Sequence, residues 1–170
     1  GWTAPLAVVI GALSAQAGDW PQWRGPTSNG HAAKGDPLPD KLGDSPKVAW
    51  RIKVGPGHSA PMTQGDLLAV SEEQGDAEVL RLLDKGTGKQ LWKTAYGQTY
   101  GDEFGAGPRC APLLTKDRCY TFGAEGVLLC LDLKTGKPIW RRDAHKDFKV
   151  IANFFGVGST PVLENGLLIT

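Results

Sequence analysis

The chain has 170 residues, and its 23 Gly and 12 Pro make up about 21% of them, against roughly 12% in average usage. A hydrophobic content of 41% is enough for a core and excludes low-complexity disorder. The net charge is +1 and no block of like charges is present, which excludes a reader of phosphate backbones, so no nucleic-acid partner is expected.

Residues 1–17 differ in kind from the rest. Ala4 to Leu13 is an apolar run of ten, too short for a bilayer, which needs about 20 residues. Ala15-Gln16-Ala17 fits the A-x-A pattern of a cleavage site, so 1–17 reads as a signal peptide lacking its basic start. A buried strand or short helix is the alternative. No Cys stands at the cleavage point, so a lipid anchor is not indicated. The expected location is periplasmic or secreted, in a bacterium, with no transmembrane segment in the mature chain.

Residues 18–46 are rich in Gly, Pro and polar side chains and read as an N-terminal extension, with 47–170 as the repeat-bearing domain. Val48-Ala49-Trp50-Arg51-Ile52 reads as the closing strand of a sheet. The preceding extension cannot supply that sheet's other strands, which are expected in sequence beyond residue 170. Gly55-Pro56-Gly57-His58-Ser59-Ala60 formally fits G-x-G-x-x-A, but Pro56 and Pro61 preclude the helix that would hold a pyrophosphate. Val79 to Leu83 reads as a strand apolar on both faces.

Asp84-Lys85-Gly86-Thr87-Gly88-Lys89-Gln90-Leu91-Trp92 returns further along the chain as Asp132-Leu133-Lys134-Thr135-Gly136-Lys137-Pro138-Ile139-Trp140. A second motif occurs three times, as Ser59-Ala60-Pro61, Cys110-Ala111-Pro112 and Ser159-Thr160-Pro161, each after a Gly-rich approach. The period is therefore about 50 residues. Within one period, Leu113-Leu114, Arg118 to Phe122, Val127 to Leu133 and Pro138 to Arg141 read as four strands separated by turns. Leu167 to Thr170 reads as the second strand of a third unit. Four short antiparallel strands per repeat, with both sheet faces buried, predict an all-β fold: a β-propeller of four-stranded antiparallel blades. The chain would hold one closing strand, two blades and the start of a third, a fragment of a ring.

Several residues have structural explanations inside this repeat. Gly88 and Gly136 suit a left-handed turn position, and Asp84 and Asp132 can accept the turn's own amides. One carboxylate per loop, without the D-x-[DN]-x-[DN]-G order, does not make a calcium loop. Trp50, Trp92 and Trp140 each close a strand and are expected to dock between blades. His58 and Arg109 hold the place three residues before Pro in their repeats, as Gly158 does. They are expected at the channel rim, either binding an anion or carboxylate ligand or merely solvated. Tyr96, Tyr100 and Phe104 fall in the linker between repeats and read as cover for a blade edge. His145 reads as solvated in a charged loop. Ser59 and Ser159 have only His58 as a nearby base, which is no triad. If Gly123 and Gly126 pair across their turn, Cys119 stands opposite Cys130, as two free thiols or a cross-strand disulfide, with Cys110 unpaired near the channel.

These residues resemble the bacterial quinoprotein-like, or pyrroloquinoline-quinone-like, β-propeller repeat proteins. The resemblance is to a secreted subgroup opening with D-W-P-Q-W-R-G-P, here Asp19-Trp20-Pro21-Gln22-Trp23-Arg24-Gly25-Pro26, and runs to residue 170. It implies a full ring of seven or eight blades and is shared by quinone-dependent alcohol dehydrogenases and a non-catalytic subunit of the outer-membrane assembly machinery. An active dehydrogenase of that kind would carry an adjacent Cys pair, a calcium-binding carboxylate and a catalytic Asp. No adjacent Cys pair is present here, and the other residues match no motif in this sequence. The expectation is therefore a binding or scaffolding module for a protein partner or small ligand at the channel rim, with no catalytic residue or cofactor assigned. The alternative is a pyrroloquinoline-quinone- and calcium-dependent alcohol or sugar dehydrogenase with its catalytic residues in other blades.

Overall fold

The computed structural model describes residues 18–36, 41, 43–151 and 153–170, and the expected signal peptide lies outside them. Two four-stranded antiparallel sheets dominate. The first runs β1 (Met62–Gln64), β2 (Leu67–Gln74), β3 (Ala77–Asp84) and β4 (Gln90–Gln98) in meander order. The linker after it forms a small ribbon, β5 (Gly101–Asp102) with β6 (Gly105–Ala106). The second sheet repeats the meander as β7 (Leu113–Leu114), β8 (Arg118–Phe122), β9 (Val127–Asp132) and β10 (Pro138–Asp143). One helical turn, α1 (Ala144–Phe148), leads to β11 (Val162–Glu164) and β12 (Leu167–Ile169), an antiparallel pair that opens a third unit. The fold is all-β, as the repeats predict.

The two full blades pack face to face. Met62, Ala69, Leu80, Leu82 and Tyr96 of the first meet Ala111, Leu114, Cys119, Leu129, Leu131 and Leu133 of the second in one buried cluster. The other face of the second blade buries Cys110, Phe122 and Leu128 with Ala144 and Val157, against Leu168 of the third unit. β9 is buried from Val127 to Leu131 because alternate side chains reach each of these layers, which is why its sequence shows no polar alternation.

Register corrects the expected cysteine pairing. Gly123 N–H donates to Val127 O at 2.9 Å, and Gly126 takes φ +79°. The turn thus spends three residues between its closing pair, with the left-handed glycine last. Every pair is shifted by one: Cys119 faces Leu131, and Cys130 faces Tyr120. Successive strand residues point to opposite faces, so Cys119 joins the layer against the first blade and Cys130 lies on the opposite face. All three cysteines are free.

Val48–Ile52 pairs with no strand among the described residues, in keeping with a closing strand whose partners are expected elsewhere, and Trp50 fastens it to the first blade. Two other expectations are corrected. Tyr96 belongs to β4 and is buried between the blades, not in the linker. His145 sits in α1, where Asp143 caps the turn by accepting from Lys146 N–H at 3.1 Å. Its Nδ1 lies 2.6 Å from Val150 O and its ring covers Gly126, so it braces a turn.

Trp50 and Trp92 join one unit to the next. Trp50 Nε1 donates to Lys85 O and Trp92 Nε1 to Leu133 O, each at 2.9 Å. Lys85 and Leu133 directly follow the repeated Asp84 and Asp132. Each indole lies over the turn glycine: a Cβ on Gly88 would stand 2.7 Å from Trp50, and one on Gly136 2.5 Å from Trp92. Gly88 (φ +72°) and Gly136 (φ +69°) are therefore required by backbone conformation and by contact with a neighbouring unit. Asp84 and Asp132 act as turn caps, accepting Thr87 N–H and Thr135 N–H at 2.8 Å together with the two threonine hydroxyls. Trp140 packs on Tyr120 of its own blade, centroids 6.0 Å apart.

Candidate functional site at the inner rim

The approaches to the inner strands converge because each repeats the same path. His58 N–H donates to Pro108 O at 2.8 Å, linking the first approach to the second. The second reaches the third through Cys110, whose thiol contacts Val157 O at 3.3 Å and Ser159 O at 3.2 Å. Burial pushes that thiol up to about 12, so it serves as a buried hydrogen-bonding group, not a nucleophile. Gly107 has φ +93°, and a Cβ there would stand 2.5 Å from Pro56 O. That close backbone approach holds the rim together.

A cavity of about 250 Å³ lies at this convergence, lined by His58 and Ala60, Arg109 and Ala111, Gly158 and Thr160, with Trp23 across it. His58, Arg109 and Gly158 are thus brought together as their repeat positions predict. Trp23 was missed. It arrives because the D-W-P-Q-W segment straps the inner strands: Trp20 pairs with Thr63 of β1 through two 2.9 Å bonds, Pro21 O accepts Leu114 N–H of β7 at 2.8 Å, and Asp19 accepts Gly65 N–H at 2.7 Å. The second Trp of that motif was the available signal, but only the strap shows where it points.

Arg109 is fully engaged. Its guanidinium bonds Asp102 at 3.0 Å, Gly105 O at 2.9 Å and Gly107 O at 3.2 Å, and it lies 5.3 Å from the Tyr100 ring centroid. Asp102 neutralises it, so Arg109 is a strut for the 99–109 linker, and His58 is the exposed polar group of the pair. Beside it a second cavity, of about 180 Å³ and almost wholly apolar, is lined by His58, Asp102, Phe104, Arg109 and Phe155. Phe104 and Phe155 come from successive linkers, one repeat apart, and stack at 5.9 Å, with Phe154 edge-on to Phe155 at 5.1 Å. The Tyr100 hydroxyl donates to Phe154 O and ties the linkers together. Phe104, Phe154 and Phe155 are each about 60% exposed (64%, 60% and 58%).

The described rim does not fit a quinone with calcium. Its carboxylate, Asp102, is committed to Arg109, and among the described residues no group of three or more His, Cys, Asp and Glu could hold a metal ion. Hard cations of this kind need six or more oxygen ligands.

Comparison with known proteins agrees with this architecture. A family model described as outer membrane protein assembly factor BamB matches residues 42–144 and again 75–170. The outer membrane protein assembly factor BamB of Aliivibrio fischeri is 29% identical over 113 residues, 65% of this chain and 23% of that protein. The chain therefore spans about a quarter of the curated relative it matches. Quinohemoprotein alcohol dehydrogenase from Comamonas testosteroni superposes with a TM-score of 0.50 at 17% identity, over 68% of this chain and 17% of that one; this likeness concerns the fold alone. BamB from Moraxella catarrhalis gives a TM-score of 0.36 at 26% identity, over 48% of this chain and 22% of that one. With both matched segments falling on the repeats, the chain belongs to the PQQ-like repeat family of β-propeller proteins described as outer membrane protein assembly factor BamB.

Proposed function

We propose that this chain is part of a periplasmic propeller that works as a binding module in outer-membrane protein assembly, gripping a protein partner through the aromatic rim. The reading is carried by the Phe104–Phe154–Phe155 cluster, built from two repeat linkers and left exposed beside His58. Exposed clustered aromatics are an expensive feature for a soluble surface and are enriched where proteins meet. The family match supports the same reading, and the committed Asp102–Arg109 pair fits a rigid platform better than a reaction centre.

The test places a photo-crosslinking amino acid at Phe104 or Phe155 in the intact protein in its host. Cross-links to a component of the outer-membrane assembly machinery are expected, with reduced outer-membrane protein levels in a Phe104→Ser, Phe155→Ser double variant. Stoichiometric uptake of pyrroloquinoline quinone and calcium, with alcohol-dependent dye reduction, would overturn the reading in favour of a dehydrogenase.

A further inference from the structure

Two carboxylates are buried in the first blade, and their surroundings differ. Glu72 accepts from Gly55 N–H at 2.7 Å, from Gln74 and from Arg81 at 3.1 Å, so its charge is compensated. Glu78 lies on the opposite face, toward the second blade, and is wholly buried. Its two oxygens share one backbone donor, Ala124 N–H, at 3.2 Å each.

Unequal hairpins create this contact. The second blade's hairpin ends at Phe122 opposite Leu128. The first continues beyond Ser71 opposite Leu80 through Glu72–Val79, Glu73–Glu78 and Gln74–Ala77. That overhang lays Glu78 on the 123–126 turn, where a Cβ on Gly123 would stand 2.7 Å from its Oε2. The hydroxyls of Ser71, Tyr96 and Thr121 are also buried, each without a well-formed hydrogen bond. The charged and titratable groups facing Glu78 are Glu73 on β2, Glu125 in the turn, Arg109 and Cys110 in the linker, and Tyr96 on β4. Arg109 is already paired with Asp102.

We propose that Glu78 is a proton-controlled latch between the first and second blades. As the neutral acid it seats the β2–β3 tip on the 123–126 turn; as a carboxylate, with its proton lost to solvent, it drives that seam open. Burial leads the effect and pushes the group from 4.5 to about 7, outweighing the Ala124 N–H and Arg109, which favour the carboxylate, with smaller repulsion from Glu125 and Glu73 adding to it. The seam also governs the rim, because Ala124 O accepts Val157 N–H and Gly126 O accepts Ala144 N–H, each at 2.8 Å. Those bonds anchor both ends of the linker that carries Phe154 and Phe155.

The test is hydrogen exchange of the intact protein between about pH 5.5 and pH 8.5, corrected for intrinsic exchange. With 4.5 for the open seam and about 7 for the closed one, linkage predicts that opening at residues 75–98 and 121–128 rises about thirtyfold. A Glu78→Gln variant keeps an acceptor for Ala124 without the charge, and its opening should stay flat within about twofold. An unchanged wild-type profile, or a variant that keeps the wild-type response, would overturn the latch. Should the variant fail to fold, carboxyl NMR of the unsubstituted protein decides: a Glu78 midpoint near 7 supports the latch, and one below about 6 refutes it.

Discussion

Replacing Gly136 with Ala separates the two demands placed on the repeated turn glycine. The first is conformational: at φ +69°, an L side chain costs about 1–2 kcal/mol. The second is contact, because the new Cβ would stand 2.5 Å from Trp92 Cδ2, and neither backbone nor indole can yield without the ring moving. Shifting the ring breaks the 2.9 Å bond from Trp92 Nε1 to Leu133 O, worth about 1 kcal/mol, and returns part of an indole face to water at about 25 cal/mol per Å². With roughly 40 Å² of the face exposed, the total is about 3–4 kcal/mol. Gly75→Ala is the control, since Gly75 also has φ +61° but a Cβ there meets nothing within 4 Å; it should cost only the strain of about 1–2 kcal/mol. Urea unfolding followed by far-ultraviolet circular dichroism and by tryptophan fluorescence measures both, and the two probes also test whether blades unfold together. Independent substitutions agree only to about 0.5 kcal/mol, so costs for Gly136→Ala and Gly75→Ala that match within that margin would refute the docking argument.

Three further outcomes are expected. Under oxidising conditions, mass spectrometry should find no bridge between Cys119 and Cys130, because they lie on opposite faces of the second blade; recovery of that cross-link would refute the register. Asp132 is held below the ordinary 3.8 chiefly by the Thr135 hydroxyl and amide. Its stabilising share is present above the ordinary value and lost as pH falls through the lowered one, so carboxyl NMR should show the titration moving up in Thr135→Val; an unmoved titration would refute the cap. Asp102→Asn leaves the half-buried Arg109 without its counter-charge and should cost about 2 kcal/mol, read by urea unfolding, with faster exchange in residues 99–109. A cost no larger than that of an ordinary surface substitution, about 0.5 kcal/mol, would show that the pair is no strut.

Pattern determined the fold class. The recurrence of D-x-x-T-G-K-x-[LI]-W and the wholly apolar β9 are properties of single segments, and they fix turns and two-sided burial without knowledge of any neighbour. The co-location of His58 and Arg109 followed from the same periodicity. Tertiary structure decided what each residue meets. Turn chemistry moved the cysteine register by one, since the same Gly-Ala-Glu-Gly stretch closes either a two-residue or a three-residue loop and only the backbone angles, with Gly126 left-handed, select the longer one. The N-terminal strap lies outside the repeat, so no period places Trp23, and Tyr96 enters the core only because β4 runs on to Gln98. Glu78 reads as a polar position in an ordinary strand until two hairpins of unequal length are laid side by side. The excess Gly and Pro are a local demand for turns; the burial of a lone acid is set by packing between blades, a relation between segments of successive repeats that the repeat announces but does not specify.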